Sequence, residues 1–453
     1  MEGRNDFSKG SIVSNIMSMA IPMILAQLVN VLYSIVDRLY ISRIPEDSFN
    51  ALTGIGVSLP IISVVAAFTN LFGMGGAPLC SIERGRKNFK EAENIMGNSF
   101  IMLVYTGVTL TILGLIFKKP MLYLFGASDI TYKYASEYVT IYLLGNVFVM
   151  ISLGMNQFIN AQGFGRVGMA TVVIGAVANI ILDPIFIFLF NMGVKGAAIA
   201  TIISQFISAA WVLKFLTGEK TILRLNKESF RLEWDRIKKI LQLGTSGFVI
   251  QFTNSLVQIV LNTTLQQFGG DLYIGIMTII NSIREFAMMP VFGLTGGAQP
   301  VMSFNYGACE YKRVKDSIKF ITISSFAINT FMWLVIQSFP GFLIRVFNAD
   351  PGVIKAGIPM VRIFYLSFFL MSLQHAGQAT FIALGKSKFA VFFSMFRKVI
   401  LVIPLVVLLP RVSSLGHIGV FLSEPISEFI GGVACYTTMM MTVWKELNEE
   451  KVV

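Results

Sequence analysis

Apolar runs of about twenty residues recur along the whole chain, and no other property narrows its fold as far. A helix needs ~20 residues to cross ~30 Å of hydrocarbon. In lipid each backbone amide must find its partner inside the protein, which leaves helices and closed barrels. The runs are continuous rather than alternating, so they read as helices. They lie near 16–37, 51–79, 95–117, 135–161, 168–190, 193–216, 236–267, 272–304, 314–339, 353–383, 389–410 and 418–444. Of the 453 residues 55% are hydrophobic and 13% charged, against roughly a quarter charged in soluble domains. The expected fold class is all-α, a polytopic membrane protein with twelve transmembrane helices. The leader MEGRNDFSKGSIVSN is short and mixed in charge, so the first run reads as a retained helix rather than a cleaved signal.

The net charge of +11 invites a nucleic-acid partner, but its placement argues otherwise. Lys and Arg concentrate in the leader, the loops 83–94 and 305–319, the stretch 217–239 and the C-terminal end. If the crossings alternate, all of these fall on one side. That is the positive-inside pattern of a multi-pass membrane protein, with both termini cytoplasmic and no nucleic-acid role. Cys80, Cys309 and Cys435 form no CxxC pair and read as small packing residues, not metal ligands or a disulfide. Only two histidines occur, His375 and His417, neither in an HExxH motif, and there is no Walker loop. A membrane enzyme, an ATP-driven pump and a dedicated cofactor are therefore not expected.

The chain repeats itself. Ser81–Ala92 (SIERGRKNFKEA) and Ser303–Val314 (SFNYGACEYKRV) both fit S-x3-G-x3-[FY]-K, 222 residues apart, each after a glycine-rich stretch. Gln27, Asn30 and Leu32 recur as Gln251, Asn254 and Leu256, and INAQG ending at Gly163 recurs as FIALG ending at Gly385. Gly193, Gly196 and Ser204 recur as Gly416, Gly419 and Ser427. Four matches in order at nearly one offset imply two six-helix halves, with sites between or within the repeats. The expected division is 1–216 for the N-terminal lobe, 217–235 for a cytoplasmic linker with an amphipathic surface helix, and 236–453 for the C-terminal lobe.

Ionisable groups inside spans are costly to bury, so each is a candidate site. Asp37 lies near the end of span one with Tyr33 one turn before it; an interfacial pair with Arg38 is the alternative. Asp183 lies in span five within NIILDP, where Asn179 precedes it by four residues and so shares its helix face. Pro184 lacks a backbone donor and bends the helix there. Two such carboxyl groups can share a proton near neutral pH, or bind Na⁺ with amide and hydroxyl oxygens completing the shell. Arg284–Glu285 in span eight reads either as a carboxylate presented to cationic substrates or as a neutralised structural pair completed by Arg397 or Lys398. Glu424 and Glu428 flank Pro425 in span twelve, and the stripe Asn254, Gln258, Asn262 faces either a cavity or a neighbouring helix.

The paired S-x3-G-x3-[FY]-K loops, the 6+6 repeat and N-x3-D-P in span five resemble the multidrug and toxin extrusion (MATE) transporters, near the MepA-like bacterial members. The resemblance implies a V-shaped pair of six-helix lobes exporting drugs, often cationic, in exchange for H⁺ or Na⁺. It implies a bending proline, a tyrosine and an aspartate in span one, matched by Pro22, Tyr33 and Asp37, acting with Asn179, Asp183 and Thr201. Any Na⁺ would sit at Asp37, Asn179, Asp183 and Thr201. Another branch of the family uses acids in spans seven and ten, where this chain has Gln251, Asn254, Gln258, Asn262, Arg362 and His375 instead. The expected activity is therefore alternating-access antiport of small amphipathic molecules by a monomer, H⁺ preferred to Na⁺. Glu285, Asn254, Gln258 and Arg284 are expected at the substrate cavity. The competing reading is a flippase for lipid-linked saccharides, disfavoured because intramembrane acids are at least as numerous as bases.

Overall fold

With no water to satisfy a peptide group in hydrocarbon, each apolar run closes its own hydrogen bonds as helix. The computed structural model describes residues 7–41, 43–44, 48–347, 349–412 and 415–449. Both chain ends, expected in the cytoplasm, lie outside them. The first half contains α1 (Ile12–Ile41), α2 (Ser48–Gly85), α3 (Phe89–Leu124), α4 (Asp129–Leu144), α5 (Asn146–Ala161), α6 (Gly165–Pro184) and α7 (Gly193–Thr217). The second contains α8 (Trp234–Phe268), α9 (Gly270–Gly307), α10 (Tyr311–Ser338), α11 (Pro340–Phe347), α12 (Pro351–Phe364), α13 (Met371–Ala383), α14 (Ser387–Met395), α15 (Ile403–Leu408), α16 (Gly416–Met439) and α17 (Lys445–Glu449).

Among the described residues ten helices are long and apolar enough to cross a membrane, and twelve if each of two bent pairs is one span. The bent pairs are α4 with α5, at 57°, and α12 with Phe368–Ala383, at 43°. The sequence shows each as one continuous run. Large apolar side chains cover the outer surface, among them Leu124 at 81% exposure and Leu189 at 72%, as expected where the solvent is lipid.

The chain gathers into two compact units, one comprising Ile21–Phe248 and the other Ser8–Ala20 with Val249 onward. The division therefore runs through α1 and α8, and residues 217–235 lie in the first unit. Two backbone approaches explain the placement. A Cβ on Gly244 of α8 would lie 1.7 Å from the Leu71 carbonyl oxygen of α2, and one on Gly75 would lie 2.3 Å from that of Ile240. Only glycine admits such a crossing. In the second unit a Cβ on Gly297 of α9 would lie 2.6 Å from the backbone nitrogen of Ala20.

The internal repeat is written in the backbone. Left-handed residues follow helix ends at Lys87 and Cys309 and at Gly163 and Gly385, and open helices at Gly193 and Gly416, pairs 222 or 223 residues apart. The Ser81 hydroxyl donates to the Ala161 carbonyl at 3.0 Å, and Ser303 to that of Ala383 at 2.7 Å. These serines open the two repeated loop motifs, so one function of the motif is to tie α2 to α5 and α9 to α13.

The stretch 217–235 differs from expectation. Instead of an amphipathic helix it forms extended chain with one 3-10 turn, Lys227–Phe230. Side chains of the first unit claim its backbone. Gln162 Oε1 accepts from the amides of Ile222 and Leu223, Glu93 from Arg224, and the Asn98 amide donates to the carbonyls of Ser229 and Arg231. Arg236 closes the docking with a two-pronged pair to Glu91 at 2.9 and 2.8 Å. A helix would have used those amides internally.

Candidate functional site

Three helices of the first unit converge on a polar cluster. In α1, Tyr33 and Asp37 stand four residues apart and so face one direction. In α6, Asn179 and Asp183 share the same spacing near the C-terminal end. Pro184 ends α6, and Ile185–Leu189 continue as one wide π turn, a feature that often marks functional sites. Asp183, Asn179 and Thr201 of α7 are buried, and Asp37 and Tyr33 are half-buried. α1 runs unbroken through Pro22.

The Asp37 and Asp183 carboxyl groups lie beside each other. Neither can donate when both are ionised, so a hydrogen bond between them requires a proton. In the amide orientation that satisfies both its ends, Asn179 donates to Asp183 Oδ2 at 2.7 Å and accepts from the Thr201 backbone N–H at 3.3 Å. That turns the Asn179 nitrogen, not its oxygen, toward the acid pair. The other Asp37 oxygen, Oδ1, is buried and has no partner. The hydroxyls of Tyr33 and Tyr138 lie beside Thr201, and Tyr138 stacks on Tyr142 with ring centroids 6.3 Å apart. The five residues singled out from the sequence thus meet in one place. Sequence reasoning misses Tyr138 and Tyr142, although two tyrosines four residues apart in an apolar run are a signal.

The second unit holds a cavity of about 380 Å³ lined by Asn254, Gln258, Arg284 and Glu285, with Asn281, Arg397, Lys398 and Glu424 also on its wall. The polar stripe of α8 joins a chain of bonds here. Gln258 donates to Asn262 at 3.0 Å, Asn281 to Gln258 at 3.2 Å, and Arg284 to Asn281 at 3.2 Å. Arg284 pairs not with its neighbour Glu285 but with Glu424 of α16, at 2.8 Å, because consecutive helical residues point about 100° apart. Arg397 pairs with the same Glu424 oxygen at 3.0 Å. Both carboxyl oxygens of Glu428, one turn along α16, are buried without a partner. Asn281, Gln374 and Gln378 complete the polar wall and had no distinguishing signal in the sequence.

Comparison with known proteins follows the same lines. The MatE family model matches residues 22–185 and then 248–408, once in each half. Multidrug export protein MepA of Staphylococcus haemolyticus is 26% identical over 364 residues, 80% of each chain. Multidrug export protein MepA of Staphylococcus aureus (strain MRSA252) is 23% identical over 396 residues, 87% of each chain. Among solved structures, a MATE protein crystallised in the bent conformation superposes with a TM-score of 0.93 at 21% identity, covering 99% of this chain and 98% of that one. An outward-facing multidrug resistance MATE family transporter of the MOP superfamily superposes at 0.91 with 21% identity, over 99% of both chains. At such identities the structural likeness is one of fold.

Proposed function

The chain belongs to the MatE family, and on that premise we propose that it exports drugs or other small amphipathic molecules across the bacterial plasma membrane in exchange for a cation. H⁺ is the preferred cation, the protein acts as a monomer, and both termini are cytoplasmic. The observation that carries the coupling is the contact between the Asp37 and Asp183 carboxyl groups inside the first unit.

Two facing carboxylates in low dielectric repel, and uptake of one proton removes most of that repulsion while creating the hydrogen bond between them. The protonated pair therefore favours α1 and α6 close together, and the ionised pair favours them apart. Pro184 and the wide turn after it give α6 a place to bend, and Pro22 gives α1 another. Antiport needs each ligand to favour a different conformation through its own differential affinity, and the proton does so here without touching the substrate. The substrate belongs in the cavity of Asn254, Gln258, Arg284 and Glu285, and its export needs no chemistry at any side chain. Support for export comes from the relatives, which carry the name multidrug export protein.

The test is efflux from proteoliposomes of a dye panel under a fixed pH gradient without Na⁺, then under a fixed Na⁺ gradient with a protonophore. Export in the first condition alone is expected. Export in neither overturns the antiporter reading.

A further inference from the structure

The positive groups on the wall of the second unit's cavity are incompletely paired with the acids beside it. Arg284, Arg397 and Lys398 line it with Glu285 and Glu424, and Glu428 is buried one turn along α16. One oxygen of Glu424 serves both guanidinium groups, at 2.8 and 3.0 Å. Lys398 has no hydrogen bond or ion pair among the described residues, and Glu428 receives no bond from any of the three cations. Arg397 is only 3% exposed, yet its Nε donor lacks a partner, as do Gln374 Oε1 and His375 Nε2 on the same wall.

The two consecutive cations lie where the helix winding changes. Between α14 and α15 the residues Phe396–Val402 form a wide π turn, whose i→i+5 bonding inserts a residue and re-aims the side chains around it. The apolar part of the wall includes Val257, Leu261, Met288, Phe292 and Met371. At about 380 Å³ the cavity lies within the range of roughly 300–1,000 Å³ typical of small-molecule sites. A lysine within a membrane span that makes no hydrogen bond there is a functional-site candidate, and a ligand in the cavity would supply its partner.

We propose that this cavity binds amphipathic organic anions, with a carboxylate held by Lys398 and Arg397 and an aromatic or aliphatic body against Met288, Phe292 and Met371. The proposal deepens the substrate site named above and rests on that assignment. Binding, however, needs no gradient, so its failure and the failure of coupled export are separable. The anion would reach Lys398 and the free Nε of Arg397 without displacing Glu424 from the two guanidinium groups, and its body would replace water against the apolar wall.

Equilibrium dialysis of radiolabelled 1-naphthoate with the full-length protein in nanodiscs, empty nanodiscs subtracted, tests it. Saturable 1:1 binding is expected, at least tenfold tighter than that of 1-naphthamide or 1-naphthylmethylamine. Lys398→Met should weaken naphthoate at least tenfold and leave naphthamide within twofold, while Lys398→Arg keeps naphthoate near wild type. Asn254→Trp, at an exposed position on the wall, should weaken naphthoate and naphthamide alike. Amide or amine binding as tight as naphthoate overturns the proposal, and so does unchanged naphthoate affinity in Lys398→Met. If Lys398→Met fails to fold, the three-ligand comparison on the wild-type protein decides.

Discussion

Replacing Asp183 by Asn removes one member of the acid pair while keeping its shape. The new side-chain amide can still bond Asp37 and accept from Asn179, so at most about one hydrogen bond's net worth, ~0.5–1.5 kcal/mol, is at stake for folding. The functional effect is much larger. One pH unit is worth about 1.4 kcal/mol per proton, a factor of ten in concentration. If the pair carries one proton per cycle, proteoliposomes holding a one-unit pH gradient, with membrane potential clamped at zero, should sustain about a tenfold gradient of a neutral substrate. If both carboxyls load, the ratio rises to about a hundredfold. An amide cannot exchange the proton, so Asp183→Asn should sustain no gradient while equilibrating substrate passively. The assay is the steady-state ratio of a neutral fluorescent dye inside and outside, alongside thermal unfolding to show that the variant is folded. A folded variant holding a tenfold gradient refutes the placement of coupling in this pair.

Other predictions test the scaffold. Gly244→Ala puts a methyl group against the Leu71 carbonyl and should lower stability by about 1–3 kcal/mol, read as a fall in Tm in detergent; an unchanged Tm contradicts the close crossing of α2 and α8. Arg236→Ala should cost about 1.5–3 kcal/mol and expose residues 217–235 to protease, since the two-pronged pair to Glu91 is lost; unchanged cleavage argues against docking. Cys309 is exposed and Cys80 and Cys435 are buried, so an impermeant thiol reagent should label one site, and only from the cytoplasmic face of oriented vesicles. Labelling from the outer face in intact cells reverses the proposed topology.

Much of this was legible because the membrane simplifies the code. Continuous apolar runs gave the helices, and the 222-residue offset of the serine–glycine loops gave the repeat, which the backbone bears at Lys87 and Cys309. Asp37, Asn179 and Asp183 stood out because a charge in hydrocarbon needs a reason, and the i, i+4 spacing told which face Asn179 shared. The bend between Leu144 and Asn146 was invisible, since hydropathy averages over a break that exposes no polar residue. Glu424's two partners were hidden for another reason. Arg284 and Arg397 are 140 and 27 residues from it, and the π turn that aims Arg397 at the cavity follows no helical period. Residues 217–235 misled because their alternating charges suit an amphipathic helix, whereas Gln162, Glu93 and Asn98 hold the backbone extended.

The central claim is that substrate and proton compete through the Asp37–Asp183 pair without sharing a site. Proton release answers it most directly. Purified protein in weakly buffered detergent solution, with a pH dye, is titrated with a transported substrate of fixed charge at pH values from 6 to 8. At the pH where half the pairs are protonated, binding should release a substantial fraction of one proton per molecule, and Asp37→Asn/Asp183→Asn should bind the substrate while releasing none. Release that persists undiminished in the double variant would contradict the account.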